Sequence, residues 1–177
     1  LRYMTVVPHN VIGIGQRYMD PYRNVVAIMI NRMKQGKPIV IYGDGTQKRS
    51  FSNIMDCVDA VEKIVNTDRD LCGEVYNIGP DDNEIEVKEI AFKIGQVCEK
   101  YPQFKHFPDR PTEVKNAWCS SEKIRKDFNY NAAVPLEQTI REMCMWIDRR
   151  GVEEFDYSID LEFITEDTPK TWVERLI

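Results

Sequence analysis

The sequence predicts an α/β protein, on three observations. Short β-branched runs such as Met4–Val7, Ile39–Tyr42 and Glu74–Ile78 alternate with longer stretches whose apolar residues recur at helical spacing. Gly, Pro and Asn punctuate the boundaries between them. The strands are too few to complete a doubly wound sheet, so only part of a larger α/β architecture is expected here.

Each element has its own justification. Met4–Val7 is β-branched and reads as a strand, followed by a Gly-, Asn- and Gln-rich loop from Pro8 to Asp20. Asp20-Pro21 supplies an N-cap with proline at the first helical position, which predicts a helix from Pro21 to Gln35, stopped by Gly36. Ile39–Tyr42 is the next strand and Phe51–Ile54 a further short one. Asp56–Asn66 reads as a helix with Val58, Val61, Ile64 and Val65 on its buried face. Glu74–Ile78 is a strand closed by Gly79-Pro80. Ile85–Val87 is a short strand running into an amphipathic helix over Lys88–Lys100, inward through Ile90, Ala91, Ile94 and Val97. Prolines make Tyr101–Pro111 a loop, with room for one extended piece. Ser120 begins a short helix to Phe128, and Pro135–Arg150 is the last long helix, with Ile140, Met143, Cys144 and Ile147 inside. The tail from Gly151 mixes acidic and aromatic residues. It is expected to pack across the back of the domain or to meet a partner through Phe155, Phe163 and Trp172.

At 177 residues the chain can bury a core of its own. The net charge of -5, with signs well mixed and no long basic run, argues against nucleic acid as a partner. No apolar stretch approaches the ~18 residues of a membrane span, so no membrane partner is expected. Five cysteines, odd in number and without a Cys-x-x-Cys, predict reduced thiols of a cytoplasmic protein rather than a disulfide frame or metal site. The chain opens on Leu1, in the middle of a strand, and reads as a fragment.

The chemically richest segment is Ile41-Tyr42-Gly43-Asp44-Gly45-Thr46-Gln47-Lys48-Arg49-Ser50-Phe51. A buried strand ends in a Gly-Asp-Gly turn, and two cations and an aromatic follow. Such a strand edge with a guanidinium fork suits a phosphorylated ligand, although a hairpin with a basic rim has the same pattern. On the residues alone, Arg49 and Arg110 are equally surface cations, Asn10 is a turn former and His9 a loop histidine.

Three segments in order carry a family resemblance. Pro8-His9-Asn10-Val11-Ile12-Gly13 resembles an Asn-Val-Tyr-Gly loop; Ile41 to Phe51, with Asp56-Cys57-Val58-Asp59-Ala60 after it, resembles a Tyr-Gly-Asp-Gly … Arg-Asp-Phe segment; Arg110-Pro111-Thr112-Glu113 resembles an Arg-Pro-Gly-Glu/Asp loop. Over residues 1–150 the chain is similar to the C-terminal, substrate-binding part of extended short-chain dehydrogenases/reductases, the NAD-dependent nucleotide-sugar epimerases and dehydratases. The resemblance implies a small mixed α/β lobe of a Rossmann-type enzyme, residues 151–177 being a C-terminal extension. It implies that Pro8 and His9 lie against the nicotinamide of NAD and that Asn10 bonds the substrate near its diphosphate. Val40 and Tyr42 would flank the nucleobase, Arg49 and Arg110 grip the diphosphate, and Glu113 accept a ribose hydroxyl. The implied ligand is a nucleotide-diphosphate sugar, UDP before GDP, and the implied parent a homodimeric UDP-hexose 4-epimerase. A GDP-mannose 3,5-epimerase, a 4,6-dehydratase, a keto-sugar reductase or a non-catalytic binding module would use the same lobe.

The sequence departs from the family's catalytic pattern. It has no Gly-x-x-Gly-x-x-Gly turn for the pyrophosphate of NAD. Its Tyr-x-x-x-Lys spacing at Tyr101 to Lys105 contains Pro102 and cannot form the helix that acid/base chemistry requires. No catalytic residue is therefore expected in this chain, and the chain alone is expected to be inactive. Ile14 stands where the family has Pro, and Ser50 where it has Asp after the arginine.

Overall fold

Three helices form the larger core because each carries one apolar stripe. α1 (Val25–Lys34), α3 (Val87–Cys98) and α5 (Leu136–Arg150) pack on one another around Ile30, Ile90, Ile94, Ile140 and Ile147, all fully buried. The computed structural model describes residues 3–81, 84–158, 161 and 163–177. Leu1 and Arg2 of the expected opening strand lie outside them.

The strands form short ladders rather than one continuous sheet. β1 (Thr5–Pro8) pairs in parallel with β6 (Val75–Ile78), and β2 (Val11–Ile12) with β5 (Ser52–Asn53). β3 (Ile39–Tyr42) pairs in parallel with β8 (Phe104–Phe107), Val40 opposite Lys105. β4 (Lys48–Arg49) lies between β7 (Ile85–Glu86), antiparallel, and β9 (Asn116–Ala117), parallel. The Gly43–Gly45 turn is thus no hairpin: β3 and β4 take different partners. α2 (Ile54–Val65), α4 (Glu122–Phe128) and the single turn α6 (Lys170–Val173) complete the chain. α2, β6 and α4 enclose a second, smaller core of Ala60, Ile64, Tyr76, Ile78 and Ile124.

Two expectations are corrected. α1 begins four residues late, because Asn24 is the cap and accepts from the Val26 amide at 3.2 Å. Asp20 instead accepts from the Tyr22 amide at 2.9 Å and holds a turn. α2 is rotated by about 100°, one residue's worth of helix. Cys57, Ala60 and Ile64 face inward, while Val58, Val61 and Val65 are exposed. Small side chains win the inner face because α2 runs close to β2, β5 and α4.

Asp56, in the first turn of α2, ties that helix to the approach to α5. It is buried and accepts from the Ala133 and Val134 amides, each at 3.2 Å. Burial pushes its carboxyl above the ordinary value, against the pull of the two amides. The folded protein therefore holds this proton more readily than the unfolded chain. Stability from this carboxyl should fall as pH rises from about 3.9 through its elevated folded value. Asp56→Asn is expected to remove that part of the slope from urea midpoints collected over about pH 4–6. An unaltered slope would mean that the carboxyl titrates alike folded and unfolded.

Candidate nucleotide-sugar site

The alternation of β3 builds one wall of a cavity. Ile39 and Ile41 point into the core, so Val40 and Tyr42 point the other way. The turn after β3 needs glycine twice. Gly43 and Gly45 have φ of 63° and 80°, and a Cβ on Gly43 would stand 2.0 Å from Asp109 Oδ1. Asp44 fixes the turn by accepting from the Thr46 amide at 3.0 Å and from the Thr46 hydroxyl at 2.7 Å. Those bonds hold its carboxyl below the usual range. The chain then re-enters as β4 and delivers Arg49.

Six of the eight expected site residues line this cavity of about 220 Å³: Asn10, Val40, Tyr42, Arg49, Arg110 and Glu113. Glu113 joins the two cations. One carboxylate oxygen accepts from Arg49 Nη2, and the other from Arg110 Nε at 2.5 Å. Arg110 also lies over the Tyr42 ring, 5.0 Å from its centroid. Arg49 is further held by the Lys48 carbonyl, 2.7 Å from Nη1. Asn10 takes a left-handed φ of 40° and donates to the Ser50 carbonyl at 2.9 Å, pinning the loop to the segment beyond β4.

Pro8 and His9 stand apart from the cavity. Pro8 ends β1, and His9 Nε2 donates to the Ala117 carbonyl at 2.9 Å. A Cβ at Gly79 would come within 2.9 Å of Ser52 Oγ and 3.4 Å of the His9 Cβ, so these strand ends are closely packed. His106, expected in a loop, lies in β8 and bonds the Gly43 carbonyl at 2.9 Å.

The tail supplies a wall that the sequence did not announce. Its start packs on α1, where the Asn31 and Gln35 side-chain amides donate to the Glu153 carbonyl at 2.8 and 2.7 Å. Its end returns to β3: the Tyr42 hydroxyl lies 2.5 Å from Thr171 Oγ1, and Trp172 and Ile177 line the cavity. Trp172 meets Tyr22 edge-on at 5.6 Å, and the Tyr157 hydroxyl donates to the Ile177 carbonyl at 2.5 Å. Burial raises the Tyr42 pKa, against the pull of the Thr171 hydrogen bond and the Arg110 charge. Among the described residues, no cluster of His, Cys, Asp and Glu could hold a metal ion, and no helix is long and apolar enough to cross a membrane.

The NAD dependent epimerase/dehydratase family matches residues 1–79. UDP-N-acetyl-alpha-D-glucosaminuronate decarboxylase from Bacillus cytotoxicus is 30% identical over 139 residues, 75% of this chain and 42% of that protein. Two crystal structures share the fold at 26% identity. UDP-glucuronic acid 4-epimerase from Bacillus cereus, in complex with UDP-glucuronic acid and NAD, has a TM-score of 0.76 over 82% of this chain and 45% of its own. UDP-glucose 4-epimerase from Thermotoga maritima, with UDP-glucose, has a TM-score of 0.73 over 85% and 47%. The chain spans less than half the length of each. By its segments, its fold and these relatives, the chain belongs to the NAD-dependent epimerase/dehydratase family, within the extended short-chain dehydrogenase/reductase fold.

Proposed function

We propose that this chain is the nucleotide-sugar-binding portion of an NAD-dependent epimerase acting on a UDP-hexose at its 4-position. One observation carries the reading: Arg49 and Arg110 line the same cavity as Val40 and Tyr42. A diphosphate brings about two negative charges, and each guanidinium has five N–H donors, more than Glu113 takes up. In this reading Asn10 bonds near the diphosphate and the base lies between Val40 and Tyr42. Glu113 gives up part of its hold on the arginines to accept a ribose hydroxyl. Uracil is favoured over guanine because each relative named above is an enzyme of a UDP-linked sugar. Residues 1–150 then form the lobe, 151–177 add its outer wall, and the parent is a cytoplasmic homodimer.

NAD would supply hydride transfer in the parent, but these residues do not fit a whole dinucleotide. The sequence has no Gly-rich strand-to-helix turn, and the ends of β1 and β6 are packed together rather than spaced for a pyrophosphate. Pro8 and His9 offer only an edge for the nicotinamide, and no hydride step is assigned to this chain. The same cavity would serve a non-catalytic binding module or half of a split enzyme.

Calorimetric titration with UDP-glucose tests the assignment. Arg49→Ala should weaken binding by roughly 1.5–3 kcal/mol, or roughly 10- to 150-fold in Kd. Equal affinity in the two proteins would remove the diphosphate from this cavity.

A further inference from the structure

Away from the candidate site, two thiols meet between the long helices. Cys98 is the last residue of α3 and Cys144 sits in the middle of α5, yet their Sγ atoms are 3.8 Å apart. A disulfide needs about 2.05 Å, so closure requires an approach of under about 2 Å. The end of α3 can give this: Glu99 turns into the left-handed region with φ of 54°, so no further helical turn holds Cys98 in place.

The two thiols differ in surroundings. Cys144 is buried, whereas Cys98 is half-buried and lines an open cavity of about 480 Å³ together with Lys34, Lys100 and Asp148. Lys34 Nζ pairs with Asp148 Oδ1 at 2.6 Å. Lys100 Nζ donates to the Met33 and Lys34 carbonyls at 3.2 and 3.3 Å. The Cys144 S–H and the two ammonium groups favour a thiolate at Cys98, against its partial burial, Asp148 and the negative end of the α3 dipole; its pKa is lowered. Cys144 is raised by the same contact and by burial.

We propose that Cys98 and Cys144 are a thiol oxidation site that reacts with hydroperoxides and closes to a disulfide joining α3 to α5. The Cys98 thiolate attacks one peroxide oxygen; the S–O bond forms as the O–O bond breaks, and the departing oxygen takes a proton and leaves as water or an alcohol. Cys144 sulfur then attacks the Cys98 sulfenic acid. The S–S bond forms, the S–O bond breaks, and the hydroxide leaves as water with the Cys144 proton. In sum, two thiols lose two electrons to one peroxide. The other cysteines are internal controls. Burial pushes the Cys57 thiol up to about 11 and raises that of Cys119, while Cys72 is exposed.

The test is hydrogen peroxide at limiting amounts, followed by alkylation of remaining thiols and peptide mapping by mass without reduction. The expected product is a single linked peptide pair, Cys98 with Cys144, lighter by about two mass units, formed about ten-fold faster than Cys72 is oxidised. Dimedone should label Cys98 in Cys144→Ser and leave Cys144 unlabelled in Cys98→Ser. Oxidation at Cys72 ahead of any linked pair, or a Cys98 sulfenic acid that persists in the unaltered protein, would overturn the proposal. The map of the unaltered protein decides this even if a variant misfolds.

Discussion

Glu113→Gln is expected to destabilise the protein by about 2–3 kcal/mol while raising its affinity for inorganic diphosphate by about ten-fold. Glutamine keeps the size of the side chain and removes the charge that separates two cations. The carboxylate and Arg49 are only 11% and 15% exposed, so their neighbourhood screens poorly. Arg110, at 32%, keeps more contact with water, which brings the loss below that of a fully buried pair. Urea unfolding should show a lower midpoint at unchanged m, and titration with pyrophosphate a lower Kd. A variant as stable as the parent would mean that the ion cluster contributes nothing to the fold. Diphosphate affinity that failed to rise would mean that Glu113 does not compete for the arginines.

The second large effect lies in the three-helix core. Ile94 is fully buried on α3, in the core shared with α1 and α5. Ile94→Ala removes three carbons and leaves a space that rigid helices fill poorly, at a cost of about 3–4 kcal/mol. For a chain of this size the thermal midpoint should fall by about 10 °C. Val97→Ala, one turn on and only partly buried, should cost about 1 kcal/mol. Similar losses at both positions would show that this core collapses around the deletion.

The helices of that core and β3 were legible because their apolar periods had one consistent reading. Ile90, Ala91, Ile94 and Val97 define one stripe, and Ile39 and Ile41 alternate with Val40 and Tyr42. α2 was misread because it is apolar on two sides. Val58, Val61 and Val65 have the stronger hydrophobic signal, yet the close contact belongs to Cys57 and Ala60. The start of α1 was misread because Asp20-Pro21 and Asn24 both carry cap chemistry, and Asn24 bonds a helical amide whereas Asp20 bonds a turn.

The site divides in the same way. Tyr42 and Val40 follow from strand alternation. Nothing local says that Arg49 and Glu113, 64 positions apart, share an ion pair; family resemblance alone brought them together. Trp172 stands out in the sequence only as an aromatic that could meet a partner. Neither its place on the cavity nor the Cys98–Cys144 contact has a signal, since no short spacing marks an encounter between distant helices or a returning tail.

The return of the tail to β3 has a consequence for how the cavity comes into being. Tyr42 and Thr171 touch across 129 positions of sequence. During synthesis the β3 wall and both arginines emerge well before Trp172, so the nascent cavity stands open to water on that side. It acquires its last aromatic wall only when the residues after Pro169 have left the ribosome. Contacts of such long range close late and slowly. Ligand present during synthesis would therefore meet an unfinished site first, and its capture should report the arrival of Trp172.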